Sequence, residues 1–282
     1  MGGWVEMTDV PRLLVGSLLL RPYVFAFLLL HLVGASALLG WRRTAAFTLI
    51  TWGVAFGAEH SSIRTGIPFG WYFYLPRTAD RELWIAGVPF FDSLSFSFLL
   101  VASYGLGWFL LSGGRGSGRL SREAEANPPG VAPRPHRLAH LVLTSVLFVL
   151  VDVVIDPVAL RGDRWFLGQI YGYPEPGIYF GVPLANFLGW GVVGTTATSL
   201  YHAWERYLPA LLVARFGGRA ALCPGLYFIV LVFNLAVTFA LGEWWLGLSG
   251  VLLTLPILLW TFSILMRPRT LLWRPRAEGT RA

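Results

Sequence analysis

Asp152 and Asp156 stand four residues apart near the end of an apolar run that begins at Leu138. On a helix that spacing puts both carboxyls on one face. Two carboxyls in one poorly solvated place do not both ionise easily, so one is expected to keep its proton near neutral pH. A neutral acid at the rim of a bilayer is a proton donor. Two other readings stay open: an ionic cluster with Arg161 or Arg164, and an acidic pair holding Mg²⁺. The Mg²⁺ reading lacks a second aspartate-rich segment.

A second acidic site precedes the first. Glu59-His60 ends the apolar run from Thr44, and Asp92 follows Gly87-Val88-Pro89 by three residues. Glu59 reads as an acid or base tuned by His60, or as an interfacial cluster with Arg64. Asp92 reads as a cap on the positive end of a helix or as a residue facing the site. Gly181-Val182-Pro183 recurs in the second half, with Asn186 in the place of Asp92. Asn186 suits the holding of a water or an oxygen, or a bond to a neighbouring helix. His31, Glu243 and the His202–Glu205 stretch read as structural, and Cys223 as a small apolar residue.

The two acidic sites bracket aromatic loops. Phe69, Trp71, Tyr72, Phe73 and Tyr74 fall in the first, and Trp165, Tyr171, Tyr173 and Tyr179 in the second. Aromatic belts at membrane interfaces explain many such rings. Clustered, they enclose a greasy conjugated ligand or stabilise a cation through their faces.

The elements that must position these groups are membrane helices. The chain of 282 residues is 55% hydrophobic and only 13% charged, with mean hydropathy +0.61. A soluble domain carries roughly 25% charged residues. Spans of about 20 residues are expected at 22–41, 44–59, 89–112, 138–156, 181–203, 221–241 and 244–266, the second being short. Val10 to Leu20 is too short to cross; it lies along the interface or extends the first helix. The expected fold is therefore all-α: one polytopic membrane domain over 1–282 with about seven transmembrane helices. Within it, hairpins 44–112 and 138–203 form a parallel internal repeat across a Gly/Pro-rich linker, 113–137. Glu59 precedes Gly87 by 28 residues and Asp152 precedes Gly181 by 29. A parallel repeat puts loops 60–88 and 157–180, with all the carboxylates, on one face.

Charge sets the orientation and removes several chemistries. All 22 basic residues are Arg. Without Lys there is no Schiff base and no Walker-type phosphate loop, so the glycines at 113–118 read as a flexible loop. One Cys and five His offer no metal framework. Seven spans place fifteen Arg on one side and seven on the other, the richer side being cytoplasmic. The net charge of +7 then reflects anionic lipid, not nucleic acid. Met1 to Pro11 has no cationic n-region, so no cleavable signal peptide is expected.

Three segments together resemble a membrane-bound carotenoid biosynthesis family that includes the CruF-type carotenoid 1',2'-hydratases. They are Glu59-His60-Ser61-Ser62-Ile63-Arg64-Thr65-Gly66-Ile67-Pro68-Phe69-Gly70, Asp152 to Pro157, and Tyr179 to Trp190. The resemblance covers roughly residues 25–265. It implies cofactor-free addition of water to the terminal double bond of an acyclic carotenoid such as lycopene or γ-carotene, in the inner membrane. Partners would be the carotenoid, water and lipid, with other pathway enzymes possible and nucleic acid excluded.

From the chemistry, the acid is expected in the Asp152/Asp156 pair, with Glu59 or Asp92 as base and water-positioner. His60, Phe69, Trp71, Tyr72, Trp165, Tyr179 and Asn186 are the expected substrate contacts. No metal and no cofactor are expected. Competing readings are a Mg²⁺-dependent prenyltransferase or lycopene-elongase-like enzyme, and a non-enzymatic lipid or ion transporter.

Overall fold

The computed structural model describes residues 9–114, 136–208 and 216–267. Most of the linker 113–137 and the residues up to Thr8 lie outside this range, as do Arg215 and the tail Arg269, Arg274, Arg276 and Arg281.

Among the described residues eight α-helices follow one another: α1 Val10–Leu20, α2 Pro22–Leu39, α3 Trp41–Thr65, α4 Phe90–Leu111, α5 Arg137–Ala159, α6 Leu184–Glu205, α7 Leu222–Ala240 and α8 Trp244–Leu265. Five of the seven from α2 onward are long and apolar enough to cross a membrane by length and composition; α3 and α6 have the length but carry more polar residues. The chain is an all-α, multi-pass membrane protein.

Two helix ends differ from the sequence expectation. α3 does not stop at Glu59 but runs on to Thr65, where Gly66 closes it in the left-handed conformation. A carboxylate ends an apolar run without ending a helix, because it keeps every backbone hydrogen bond. Likewise α5 passes through Pro157 to Ala159, so Asp156 lies within the helix. α1 is a separate helix. The chain bends at Arg21 ahead of Pro22, and Ser17 Oγ accepts the Leu83 amide at 3.0 Å.

Helices α3, α4, α5 and α6 form the centre: α3 packs on α4 and α6, and α5 on the same two. α7 packs on α2, α4 and α5, and α8 lies outside it. α4 is the most enclosed, with every residue from Phe96 to Leu110 buried.

Both interhelical loops lie at one end of this bundle and are stitched together there. β1 (Phe73–Tyr74) pairs antiparallel with β4 (Tyr171–Gly172), in the register Phe73 to Gly172 and Tyr74 to Tyr171. Each loop then re-enters through the same turn. β2 (Trp84–Ile85) and β3 (Val88–Pro89) are joined by Ala86 and Gly87, at φ 49° and 86°. A second bridge, Tyr179 to Val182, is closed by Phe180 and Gly181 at φ 50° and 96°. Two consecutive left-handed residues make a type I′ hairpin turn, which explains a Gly before each Val-Pro. Pro89 and Pro183 then sit extended at the N-caps of α4 and α6.

Candidate active site

A cavity opens beneath the paired loops. It holds about 1140 Å³ of empty space, open mouth included, and its walls are mostly aromatic and aliphatic. Glu59 from α3, Asp92 from α4 and Asp152 and Asp156 from α5 all line it, as does Asn186 from α6.

The α5 pair is held from two directions. Asn186 Nδ2 donates to Asp152 Oδ2 at 2.8 Å and to Asp156 Oδ2 at 3.0 Å. Tyr173 donates its hydroxyl to Asp156 Oδ2 at 2.7 Å, and Tyr171 donates to Asp156 Oδ1. Asp152 Oδ1 is buried and has no hydrogen-bond partner among the described residues. Arg161 and Arg164 do not neutralise this pair. Both bind Glu243 at the α7–α8 turn, Arg161 Nε at 3.0 Å, which disposes of the ionic-cluster reading.

Across the cavity Glu59 has both oxygens occupied. Tyr74 donates to Oε1 at 2.7 Å, and Ser93, at the start of α4, donates to Oε2. Asp92 occupies the first turn of α4, whose N-cap is Pro89. It lines the same cavity as Glu59, Asp152 and Asp156.

Four loop tyrosines roof the carboxylates, with Tyr72 in ring contact with Tyr74, Tyr171 and Tyr173. Burial, and then the nearby carboxylates, push all four phenols above their ordinary range, Glu59 first for Tyr72, Asp92 for Tyr74 and Asp156 for Tyr171 and Tyr173. They therefore keep their protons and act as donors. Their spacing was a usable signal. Tyr72 and Tyr74, like Tyr171 and Tyr173, are two apart, and residues two apart on an extended segment face the same way. Gly172 between the second pair leaves room for the Phe73 ring.

The other expected contacts divide. Phe69, Tyr72 and Trp165 line the cavity. Phe69 lies against Gly189 of α6, where a Cβ would meet its ring at 2.3 Å and its Cα at 2.8 Å; only glycine lets loop and helix approach so closely. His60, Trp71 and Tyr179 do not line it. His60 bonds Arg64 at 2.8 Å on the exposed side of α3, Trp71 is 58% exposed, and Tyr179 packs on Phe180 and Phe187. The groups read as structural are accounted for elsewhere. His31 bonds Thr48 at 2.8 Å, Glu205 pairs with Arg43, and the Cys223 thiol is directed to the Val101 carbonyl.

A buried ion pair on the cavity wall has no sequence signature. Arg21 makes a two-pronged contact with Glu82, at 3.1 and 3.2 Å, and donates to the Leu167 carbonyl at 2.9 Å. It so joins the α1–α2 bend to both loops.

Fold and site together define a multi-pass membrane protein with a set of acids walling a greasy, aromatic pocket. No group of three or more His, Cys, Asp or Glu among the described residues is arranged to hold a metal ion. The chain belongs to the family described as "Carotenoid biosynthesis protein", which it matches over residues 17–257. It is also similar to a protein of Haloarcula japonica named bisanhydrobacterioruberin hydratase, with 28% identity over 206 residues. That alignment takes in 71% of this chain, and the chain spans 60% of the relative's length. No solved structure matches.

Proposed function

We propose that this protein is a carotenoid hydratase, adding water across the terminal C1'=C2' double bond of an acyclic carotenoid end group. The observation that carries the reading is the cavity itself: acids from three helices, held by tyrosines and Asn186, on otherwise apolar walls. Family membership supports a carotenoid ligand, and the name of the Haloarcula relative supports hydration.

The end of the polyene enters the cavity, against apolar lining side chains such as Phe27, Phe98 and Phe233. A carboxylic acid of the Asp152/Asp156 pair gives its proton to the less substituted alkene carbon. The π pair becomes the new C–H bond, and the adjacent tertiary carbon takes the positive charge. Carboxylates and ring faces lower the energy of that cation. Water held by Glu59 or Asp92 attacks it, and its surplus proton goes to that base and returns to the acid. Atoms balance as alkene plus water giving a tertiary alcohol. In this reading hairpins 44–112 and 138–203 are the parallel halves of one membrane domain in the cell's inner membrane.

The test is expression in a bacterium that accumulates lycopene or γ-carotene, with mass spectrometry of the pigments. A gain of one water is expected, and membranes holding pigment made beforehand in H₂O should fix one non-exchangeable deuterium per hydrated end when incubated in D₂O. Pigment unchanged with both substrates sinks the proposal. Loss of activity on chelation would favour the prenyltransferase reading instead.

A further inference from the structure

The two aspartates of α5 are not equivalent in what surrounds them. Asp156 receives three donors: the hydroxyls of Tyr171 and Tyr173 and one N–H of Asn186. Among the described residues Asp152 receives only the other N–H of Asn186, on Oδ2. Its Oδ1 is buried with no partner among them, and Asp152, 1% exposed, lines the cavity.

A hydrogen-bond inventory turns this difference into an assignment. An ionised carboxylate accepts only, whereas a protonated one carries a donor that must find an acceptor. A proton on Asp156 would have to displace the Asn186 N–H or turn the hydroxyl of Tyr171 or Tyr173 from donor to acceptor. The tyrosines cannot give way by ionising, since burial and Asp156 itself hold their phenols well above the usual range. An ionised Asp152, by contrast, would leave one buried oxygen with no donor, a costly arrangement for a charge. A proton on Oδ1 replaces that stranded charge with a neutral hydroxyl on a residue that lines the cavity, a smaller cost, and leaves Oδ2 free to accept from Asn186. Asn186 then spans one neutral acid and one anion.

Resting on the hydratase reading, we propose that Asp152 is the general acid, carrying the transferred proton on Oδ1, and that Asp156 is the fixed anion beside it. Tyr171, Tyr173 and Asn186 are positioning residues that keep the proton off Asp156. In the reaction the Oδ1–H bond breaks as the C–H bond forms. The O–H pair stays on Oδ1, so Asp152 and Asp156 are both anionic only while the cation exists. The charge the pair develops is matched in time to the charge on the substrate.

Infrared difference spectroscopy on the purified protein in detergent, exchanged from H₂O to D₂O, reads the protonated carboxyl without any substrate. A C=O band that shifts on deuteration is expected in the wild type, lost in Asp152→Asn, restored in Asp152→Glu and kept in Asp156→Asn. Tyr173→Phe should weaken the Asp152 component as the proton spreads to Asp156. A band kept in Asp152→Asn and lost in Asp156→Asn overturns the assignment, as does a spectrum unchanged by all four. Asp152→Asn is also expected to lose roughly 10²–10⁴-fold in hydration rate, and Tyr173→Phe about tenfold. If the infrared pattern holds but no carotenoid gains water, the hydratase reading fails and the proton assignment stands. If water is added and the pattern is reversed, only the assignment fails.

Discussion

At the scale of single residues, the carboxylate oxygens of Glu59 and Asp156 are occupied by donors, while Asp152 Oδ1 has no partner among the described residues. Glu59 illustrates the saturated kind, with one donor from the first loop and one from α4. Tyr74→Phe removes one of the two. We expect turnover to fall about tenfold with KM little changed, the scale of a hydrogen bond to a charged group of about 1.5 kcal/mol. Pigment conversion against substrate content in membranes checks it, and a changed KM with constant turnover would contradict it. The acids and Asn186 were legible because polar residues inside apolar runs stand out. His60 was misleading for a reason of geometry. α3 continues past Glu59, and the next residue of a helix points about 100° away, so adjacency in sequence put His60 on the outer face. The tyrosine roof was visible only as rings; its role depends on which strand face each occupies.

Among the elements, polar contacts at the loop end decide what stays still. Glu243 holds Arg161 and Arg164, and so ties the second loop to the α7–α8 turn. Arg161 first, and then Arg164, hold the Glu243 carboxyl below its ordinary range. A carboxyl depressed in the folded state stabilises it above the unfolded pKa, about 4.3 for Glu, and that contribution is lost as pH falls through the folded value. Glu243→Gln should therefore unfold at lower temperature than wild type at pH 7. The gap should close in strongly acidic buffer, as read by thermal unfolding in detergent across a pH series. A gap that persists in acid would point to packing rather than charge. The long helices were readable from apolar runs, their ends less so, because an apolar run stops where the lipid stops and a helix stops where a cap such as Gly66 lets it. The repeated Gly-Val-Pro was legible as an echo, and its cause is a shared type I′ turn.

For the molecule as a whole, the all-α, multi-pass layout followed from composition and span length, but the closing of the cavity did not. It depends on Arg21, Glu82 and Leu167, which are far apart in the chain and ordinary in type. Removing one partner of a buried ion pair leaves the other charge stranded, at roughly 3–5 kcal/mol, whereas an apolar replacement of both is often neutral. Arg21→Met is expected to lower the unfolding temperature in detergent, and Arg21→Met with Glu82→Leu to recover most of the loss. A double variant no better than the single one would mean that Arg21 acts mainly through Leu167.

The pairing of Phe73 with Gly172 also has a consequence for biogenesis. About a hundred residues of further synthesis separate the two strands, so the first hairpin enters the membrane well before its partner exists. During that interval Tyr74 has an open backbone edge, a non-local contact waiting to be made. A ribosome that stalls before Gly172 leaves an insertion intermediate with an unpaired strand. Such unfinished edges promote misassembly.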